Sequence, residues 1–345
     1  MTPPSRLVIL APNWLGDAIM ALPLIADVQR AWPATEIVMA ARRSVAPLFS
    51  MVPAVSSTMT LDGGGGWRGV SAVRQNVATL ASGGFDAALL LPNSFQAAWM
   101  VSRARIPERW GFARDMRGRL LTRVVARPPS RAHQSEYYQA LGAGLGLPAG
   151  DRFACLEVPE ENRVSARTLL AGASLAEGRK FFIFAPGAAY GRAKQWLPER
   201  FAELATLLAE AGHAAVLAGS ASDEQVCREI VARSGDAAID LAGRTDLATL
   251  AGLMSLASGV IANDSGAMHM ASAVGAHVVC IFGPTNDYKT HPLRASATAP
   301  EPTIVSTDVW CRPCMLRECP IDHRCMTGVS ARRVYDALAP PFPRG

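Results

Sequence analysis

The sequence predicts an α/β protein built from two doubly wound, Rossmann-like domains in tandem. Short apolar runs suited to buried strands alternate with amphipathic helical runs, the pattern of a parallel sheet covered on both faces. That alternation loosens between residues 150 and 178, around Pro148, Gly150 and Pro159, and then restarts. The chain of 345 residues is also long enough for two ordinary domains, each with a sizeable core. The expected division is a first domain over 1–155, a linker with a polar helix over 156–178, and a second domain over 179–345.

In the first domain RLVILAP reads as the opening strand, followed by a helix over DAIMALPLIADVQRAW. EIVMAA is a strand, SVAPLFSM a short helix and STMTLD a strand. GVSAVRQNVATLA is helical, AALLLPN a buried strand and SFQAAWMVSRAR a helix. The second domain opens with the strand FFIFAP, then LPERFAELATLLAEAG, whose Pro198 suits a first helical turn. AAVLAG, AIDLAG, GVIAND and HVVCIFGPT follow as strands. DEQVCREIVARSG, LATLAGLMSLAS and MHMASAVG are the helices between them. In such sheets ligands sit beyond the carboxyl ends of the strands, here expected to face a cleft between the domains.

Composition narrows the function. Half the residues are hydrophobic and 18% are charged, which is globular rather than disordered. No apolar run reaches the roughly 18–20 residues that span a bilayer. Residues 1–12 lack a secretory pattern, so a cytoplasmic location is expected. The seven cysteines therefore argue against a disulfide framework. Net charge is +5, but residues 1–155 carry 16 arginines, no lysine and 9 acids, whereas the remainder is slightly acidic. The first domain should meet something anionic. Nucleic acid is not expected, because no helix-turn-helix, zinc-finger or RNA-recognition signature is present.

Six stretches are candidates for carrying chemistry. Asn13, Trp14 and Asp17, in NWLGDAIMALP, follow the first strand; a carboxylate at a helix entrance repels a phosphate, which leaves the role of Asp17 there an open question, with a helix cap as the structural reading. GGGGWRG matches G-x-G-x-x-G through Gly64, Gly66 and Gly69, but it follows a later strand and Asp86 precedes its own strand. A flexible surface loop is the better reading.

In FAPGAAYGRAKQWLPERF the small residues Gly187, Ala188 and Ala189 let a ligand approach the backbone. Lys194, one of three lysines against 31 arginines, stands before a helix and suits a pyrophosphate, unless it is a solvated loop residue. In GVIANDSGAMHMASAVG, Ser265 and Gly266 open a helix that suits a phosphate and Asp264 suits sugar hydroxyls. His269 lies one turn further, and the alternative is a simple N-cap with a buried histidine. Taken with the Lys194 loop, this favours a nucleotide-diphosphate site.

Residues 103–131 hold nine arginines with Trp110 and Phe112 among them; most read as a solvated face, and a few as contacts to an anion. Finally, Cys311, Cys314, Cys319 and Cys325, with His323 as a spare, are candidate ligands of a structural zinc, with reduced or redox-active thiols as the alternative. Asp-x-Asp, the Gly-x-Ser-x-Gly elbow and the Walker loop are all absent from the sequence.

Together NWLGDAIMALP, PGAAYGRAKQWLPERFAELA, GSASDE, NDSGAMHMASAVG with FGPT, and the cysteine-rich tail resemble the ADP-heptose:lipopolysaccharide heptosyltransferases of glycosyltransferase family 9. The Asn-Trp-Leu-Gly-Asp opening is similar to the type II members. The resemblance implies a GT-B fold and metal-independent, inverting transfer without a cofactor. It also implies ADP-heptose held by the second domain and an anionic lipopolysaccharide inner core held by the first, with the enzyme peripheral at the cytoplasmic face of the inner membrane. By the same resemblance Asp17 is the general base, Lys194 the diphosphate lysine, and Asp264, Ser265, Gly266 and His269 the donor segment. Ala188 and Ala189 replace hydroxyl side chains found in some relatives, leaving that contact to backbone N–H groups. Asn13, Trp14, Arg109, Arg114 and Arg117 are the candidate acceptor contacts. A related enzyme with another nucleotide sugar or acceptor, and a nucleotide-sugar-binding protein without turnover, stay open as alternatives.

Overall fold

Apolar strands buried on both faces suit parallel neighbours, and the described residues of the first half supply six strands. The chain divides into two units, Met1–Glu157 and Val158–Gly345. The computed structural model describes residues 2–63, 66–129 and 131–338 of it.

The first unit holds β1 (Arg6–Leu10), β2 (Glu36–Arg42), β3 (Ser57–Leu61), β4 (Ala87–Leu90), β5 (Glu108–Phe112) and β6 (Arg123–Val125). They form one parallel sheet in the order β3-β2-β1-β4-β5-β6. Its helices are α1 (Leu15–Met20), α2 (Leu22–Ala31), α3 (Gly66–Ser82), α4 (Phe95–Arg103) and α5 (Gln134–Gly144). The single helix expected over 17–32 is two, joined at Ala21. Pro23 stands at the start of α2, where its missing N–H and fixed φ are tolerated; inside a continuous helix it would clash with the preceding turn.

β5 and β6 were not expected, because their segment reads as a charged face. Trp110 and Phe112 are buried between the sheet and its helices, and Trp110 Nε1 donates to Glu108 Oε2 at 3.0 Å. Of the G-x-G-x-x-G glycines, Gly64 lies outside the described residues. Gly66 opens α3 and Gly69 lies within it, after the edge strand β3 rather than at the centre of the sheet.

The second unit repeats the winding with β7 (Phe181–Ala185), β8 (Ala214–Leu217), β9 (Ala238–Asp240), β10 (Gly259–Asn263), β11 (Val278–Phe282) and β12 (Thr303–Ser306). All pair in parallel, in the order β12-β11-β10-β7-β8-β9. Its helices include α6 (Glu160–Gly172), α7 (Pro198–Glu210), α8 (Glu224–Ser234), α9 (Leu247–Leu256) and α10 (Gly266–Ala273). The core gathers Phe184, Trp196, Phe201, Ile261 and Ile281, and draws in Met326 and Val334 from the tail.

The helix expected in a linker is α6, and it is part of the second unit. It packs on α9 so closely that the carbonyl oxygen of Asn162 lies 2.2 Å from where a Cβ on Gly252 would stand, so only glycine fits there. The boundary between the units falls after Glu157, at the very start of the segment 156–178, so the helix of that segment belongs to the second unit.

Candidate active site

In each sheet the winding reverses once, between β1 and β4 in the first unit and between β7 and β10 in the second. Loops leaving adjacent strands in opposite directions open a crevice at that point. The chemistry-bearing motifs fall on these loops: residues 11–17 after β1, 186–194 after β7 and 263–266 after β10.

In the first unit a cavity of about 80 Å³ lies over the carboxyl ends of β1, β2 and β4. Asn13, Arg42, Asp62, Asn76 and Ser94 supply polar lining. Buried Asn76 fixes one wall: its Oδ1 accepts from Asp62 N at 2.8 Å and its Nδ2 donates to Asp62 O at 3.0 Å. Arg42 was missed by sequence reasoning, although a cation ending a strand at the carboxyl edge is a legible signal.

Asp17 lies in the first turn of α1, where the aligned peptide dipoles favour negative charge. It is half-buried. Tyr138, buried on α5, has its phenol held far above the ordinary range by burial first and by the charge of Asp17 second. Trp14, a candidate acceptor contact, is 60% exposed.

Arg109 and Arg117 correct the expectation of acceptor contacts. Arg109 donates Nε to Leu120 O at 2.7 Å and Nη1 to Ile106 O at 2.7 Å. Arg117 is fully buried; its Nη1 donates to Pro92 O, its Nε to Phe112 O at 3.0 Å and its Nη2 to Asn93 Oδ1 at 3.2 Å. Burial lowers the Arg117 pKa, yet the guanidinium satisfies carbonyls at the ends of β4 and β5 that would otherwise be orphaned. Both side chains hold the unit's own backbone. Arg114 remains exposed on the loop after β5, beside Asp115 at 3.4 Å.

In the second unit Lys194 and Asp264, 70 residues apart in sequence, form a buried ion pair with Nζ 2.6 Å from Oδ2. Thr285 Oγ1 donates to the same carboxylate oxygen at 2.5 Å. Asn263 joins the loops behind this pair: its Oδ1 accepts from Trp196 N at 3.0 Å and its Nδ2 donates to Pro186 O at 2.7 Å. Asp264, expected to face sugar hydroxyls, therefore aims one oxygen at Lys194 and Thr285.

Ser265 is the N-cap residue of α10 but makes no side-chain cap bond. Ser265 and Gly266 are half-buried, and His269 is buried inside α10. Gly187 leaves room for the Asp223 carboxylate, Ala188 is buried and Ala189 is exposed. Lys194 Nζ lies 4.9 Å from the centre of the Tyr190 ring and the Arg317 guanidinium 5.1 Å from it. Two cations thus border one exposed aromatic, an arrangement suited to a diphosphate.

Arg317 comes from the cysteine-rich tail, which docks on this loop. Ala193 N donates to Arg317 O at 2.9 Å, His323 Nε2 to Ala193 O at 2.8 Å, and Tyr190 Oη to Met315 O at 3.0 Å. Cys325 is buried, Cys311 half-buried, Cys314 and Cys319 are exposed, and none of the four forms a disulfide. Among the described residues no group of three or more His, Cys, Asp or Glu side chains is set to hold a metal ion. Thr285, Asn263 and Arg317 were not assigned from sequence; only the proximity of FGPT and the tail to the Lys194 loop reveals them.

The family model described as "Glycosyltransferase family 9 (heptosyltransferase)" matches residues 73–324, which include the Lys194 and Asp264 loops. The chain belongs to glycosyltransferase family 9. Its similarity to members extends over most of its length. It is 31% identical over 304 residues to lipopolysaccharide heptosyltransferase 2 of Escherichia coli (strain K12), covering 85% of this chain and 86% of that protein. It is 30% identical over 305 residues to lipooligosaccharide heptosyltransferase 2 of Haemophilus ducreyi, covering 85% and 87%. The solved E. coli ADP-heptose lps heptosyltransferase II superposes with a TM-score of 0.81 at 27% identity, over 96% of this chain and 97% of that one. As a family 9 glycosyltransferase of the heptosyltransferase II type, the chain has the GT-B architecture of two Rossmann-like units.

Proposed function

We propose that this enzyme transfers heptose from ADP-heptose to the lipopolysaccharide inner core, adding the second heptose to heptosyl-Kdo2-lipid A. The observation that carries the reading is the buried Lys194–Asp264–Thr285 cluster at the second unit's switch point, bordered by Tyr190 and Arg317. Lys194, held at one height by the carboxylate and the backbone carbonyl of Asp264, offers its remaining N–H to the diphosphate. Ser265, whose hydroxyl makes no cap bond, and the α10 N-terminus add donors there. The Asp17 carboxylate takes the proton of the acceptor hydroxyl as that oxygen bonds to the anomeric carbon. The bond from that carbon to the diphosphate oxygen breaks, its electron pair leaves with ADP, and the anomeric configuration inverts. Lys194 and Arg317 stabilise the charge on the leaving group, so transfer proceeds without a metal or other cofactor. The acceptor's phosphates and acidic sugars suit a unit whose positive charge is carried entirely by arginine. The enzyme works at the inner face of the inner membrane, where such a lipid-borne acceptor is presented.

Calorimetric titration with ADP, UDP and GDP in a chelator, then with magnesium, tests the donor side. ADP is expected to bind without metal at least about tenfold more tightly than UDP or GDP, a difference of about 1.4 kcal/mol. Preference for UDP or GDP, or a strict need for magnesium, would overturn the donor assignment.

A further inference from the structure

The first unit carries an apolar surface that neither the sheet nor the cavity uses. Val70 and Val73 on α3 and Phe95 and Trp99 on α4 line an open groove of about 570 Å³, with Arg74 and Gln96 at its sides. The spacings i, i+3 and i, i+4 put each pair on one helix face. Val70 is 50% and Phe95 47% exposed, unusual for adjacent large apolar side chains. Arg103 lies 5.8 Å from the centre of the Trp99 ring. Between Asp62 and Glu108 the sequence has one acid, Asp86, and its carboxylate accepts from Arg6 N at the opposite, amino-terminal edge of the sheet. The groove is thus apolar in the middle, cationic around it and free of acids. Gly69, Val73 and Gln96 line both the groove and the cavity over the strand ends, so the two are continuous.

We infer that the α3–α4 groove docks this unit on an anionic bilayer, with Val70 and Phe95 entering the headgroup–acyl boundary and Arg74 and Arg103 meeting lipid phosphates. Apolar side chains flanked by arginine are what interfacial binding requires, and anionic lipid answers an arginine-only unit. Docked this way, the mouth of the cavity lies at the membrane surface, where the sugars of a lipid-anchored acceptor project. The inference rests on the acceptor being lipid-borne, as proposed above.

Sedimentation with vesicles of phosphatidylethanolamine and phosphatidylglycerol, against vesicles of phosphatidylcholine alone, tests it on the full chain. Wild type is expected to sediment with the anionic vesicles only. Val70→Asp with Phe95→Asp should lower the bound fraction at least about tenfold, and Arg74→Glu should lower it and weaken its salt dependence. Retained ADP affinity and thermal transition show that the variants fold. Unchanged sedimentation of Val70→Asp/Phe95→Asp, or no binding of wild type to anionic vesicles, would overturn the surface. A change in oligomeric state of that variant by gel filtration would instead assign the groove to a second copy of the chain. Transfer to a deacylated, soluble acceptor is measured alongside. If the surface fails while that transfer persists, the proposed function stands; if transfer fails in wild type, the functional reading fails independently of the vesicles.

Discussion

Replacing Asp17 by Asn is expected to lower the rate of heptose transfer roughly 10²–10⁴-fold, the range for loss of a general base. Affinity for ADP should be unchanged. Asparagine keeps the size and one acceptor oxygen of the aspartate, so α1 and its packing against α5 remain. What disappears is the group proposed to take the acceptor proton. The fall should therefore appear in kcat, with the KM for acceptor moved little. A capping role alone predicts the converse: a cost of about 1 kcal/mol in the stability of the unit and nearly full activity. Steady-state kinetics and a thermal melt on the same preparation separate the two. Near-normal kcat in Asp17→Asn would remove Asp17 from the chemistry.

The second large effect is at Lys194. Lys194→Met removes one partner of a pair whose side chains are 14% and 6% exposed, leaving the Asp264 carboxylate buried beside Thr285 alone. Breaking such a pair costs about 3–5 kcal/mol, and the half-open edge at Lys194 puts the expectation at about 3. The melting transition should fall and ADP affinity should drop as well. Lys194→Met combined with Asp264→Asn distinguishes structure from binding, since it removes both charges together. The double variant is expected to recover most of the lost stability and none of the ADP affinity. Recovery of ADP binding in the double variant would show that Lys194 acts only by neutralising Asp264.

Both residues were visible in the sequence because each follows a run that can only be a buried strand. NWLGD after RLVIL, and PGAAYGRAK after FFIFA, sit where a doubly wound sheet exposes its loops. The relation between Lys194 and Asp264 was not visible. It joins two loops brought together by the pairing of β7 with β10, and strand order does not follow from periodicity. The arginine-rich stretch misled for a related reason. Charge density reads as a wet face, yet ERWGF is a strand in the sheet and Arg117 is buried under it, its charge met by carbonyls close only after folding. α6 likewise follows a loosened, proline-bearing segment, and its close approach to Gly252 depends on a residue 90 positions away from Asn162. The break at Ala21 was legible in principle, since Pro23 marks it.

We propose that Asp17 and the Lys194 loop serve one inverting transfer from ADP-heptose. It is tested most directly by incubating the full chain, in a chelator, with ADP-heptose and soluble heptosyl-Kdo2 acceptor, then determining the anomeric configuration of the product by NMR. The expected result is stoichiometric ADP release and a new heptoside of configuration opposite to the donor's. A heptoside of retained configuration, or no transfer until a divalent metal is restored, would contradict it.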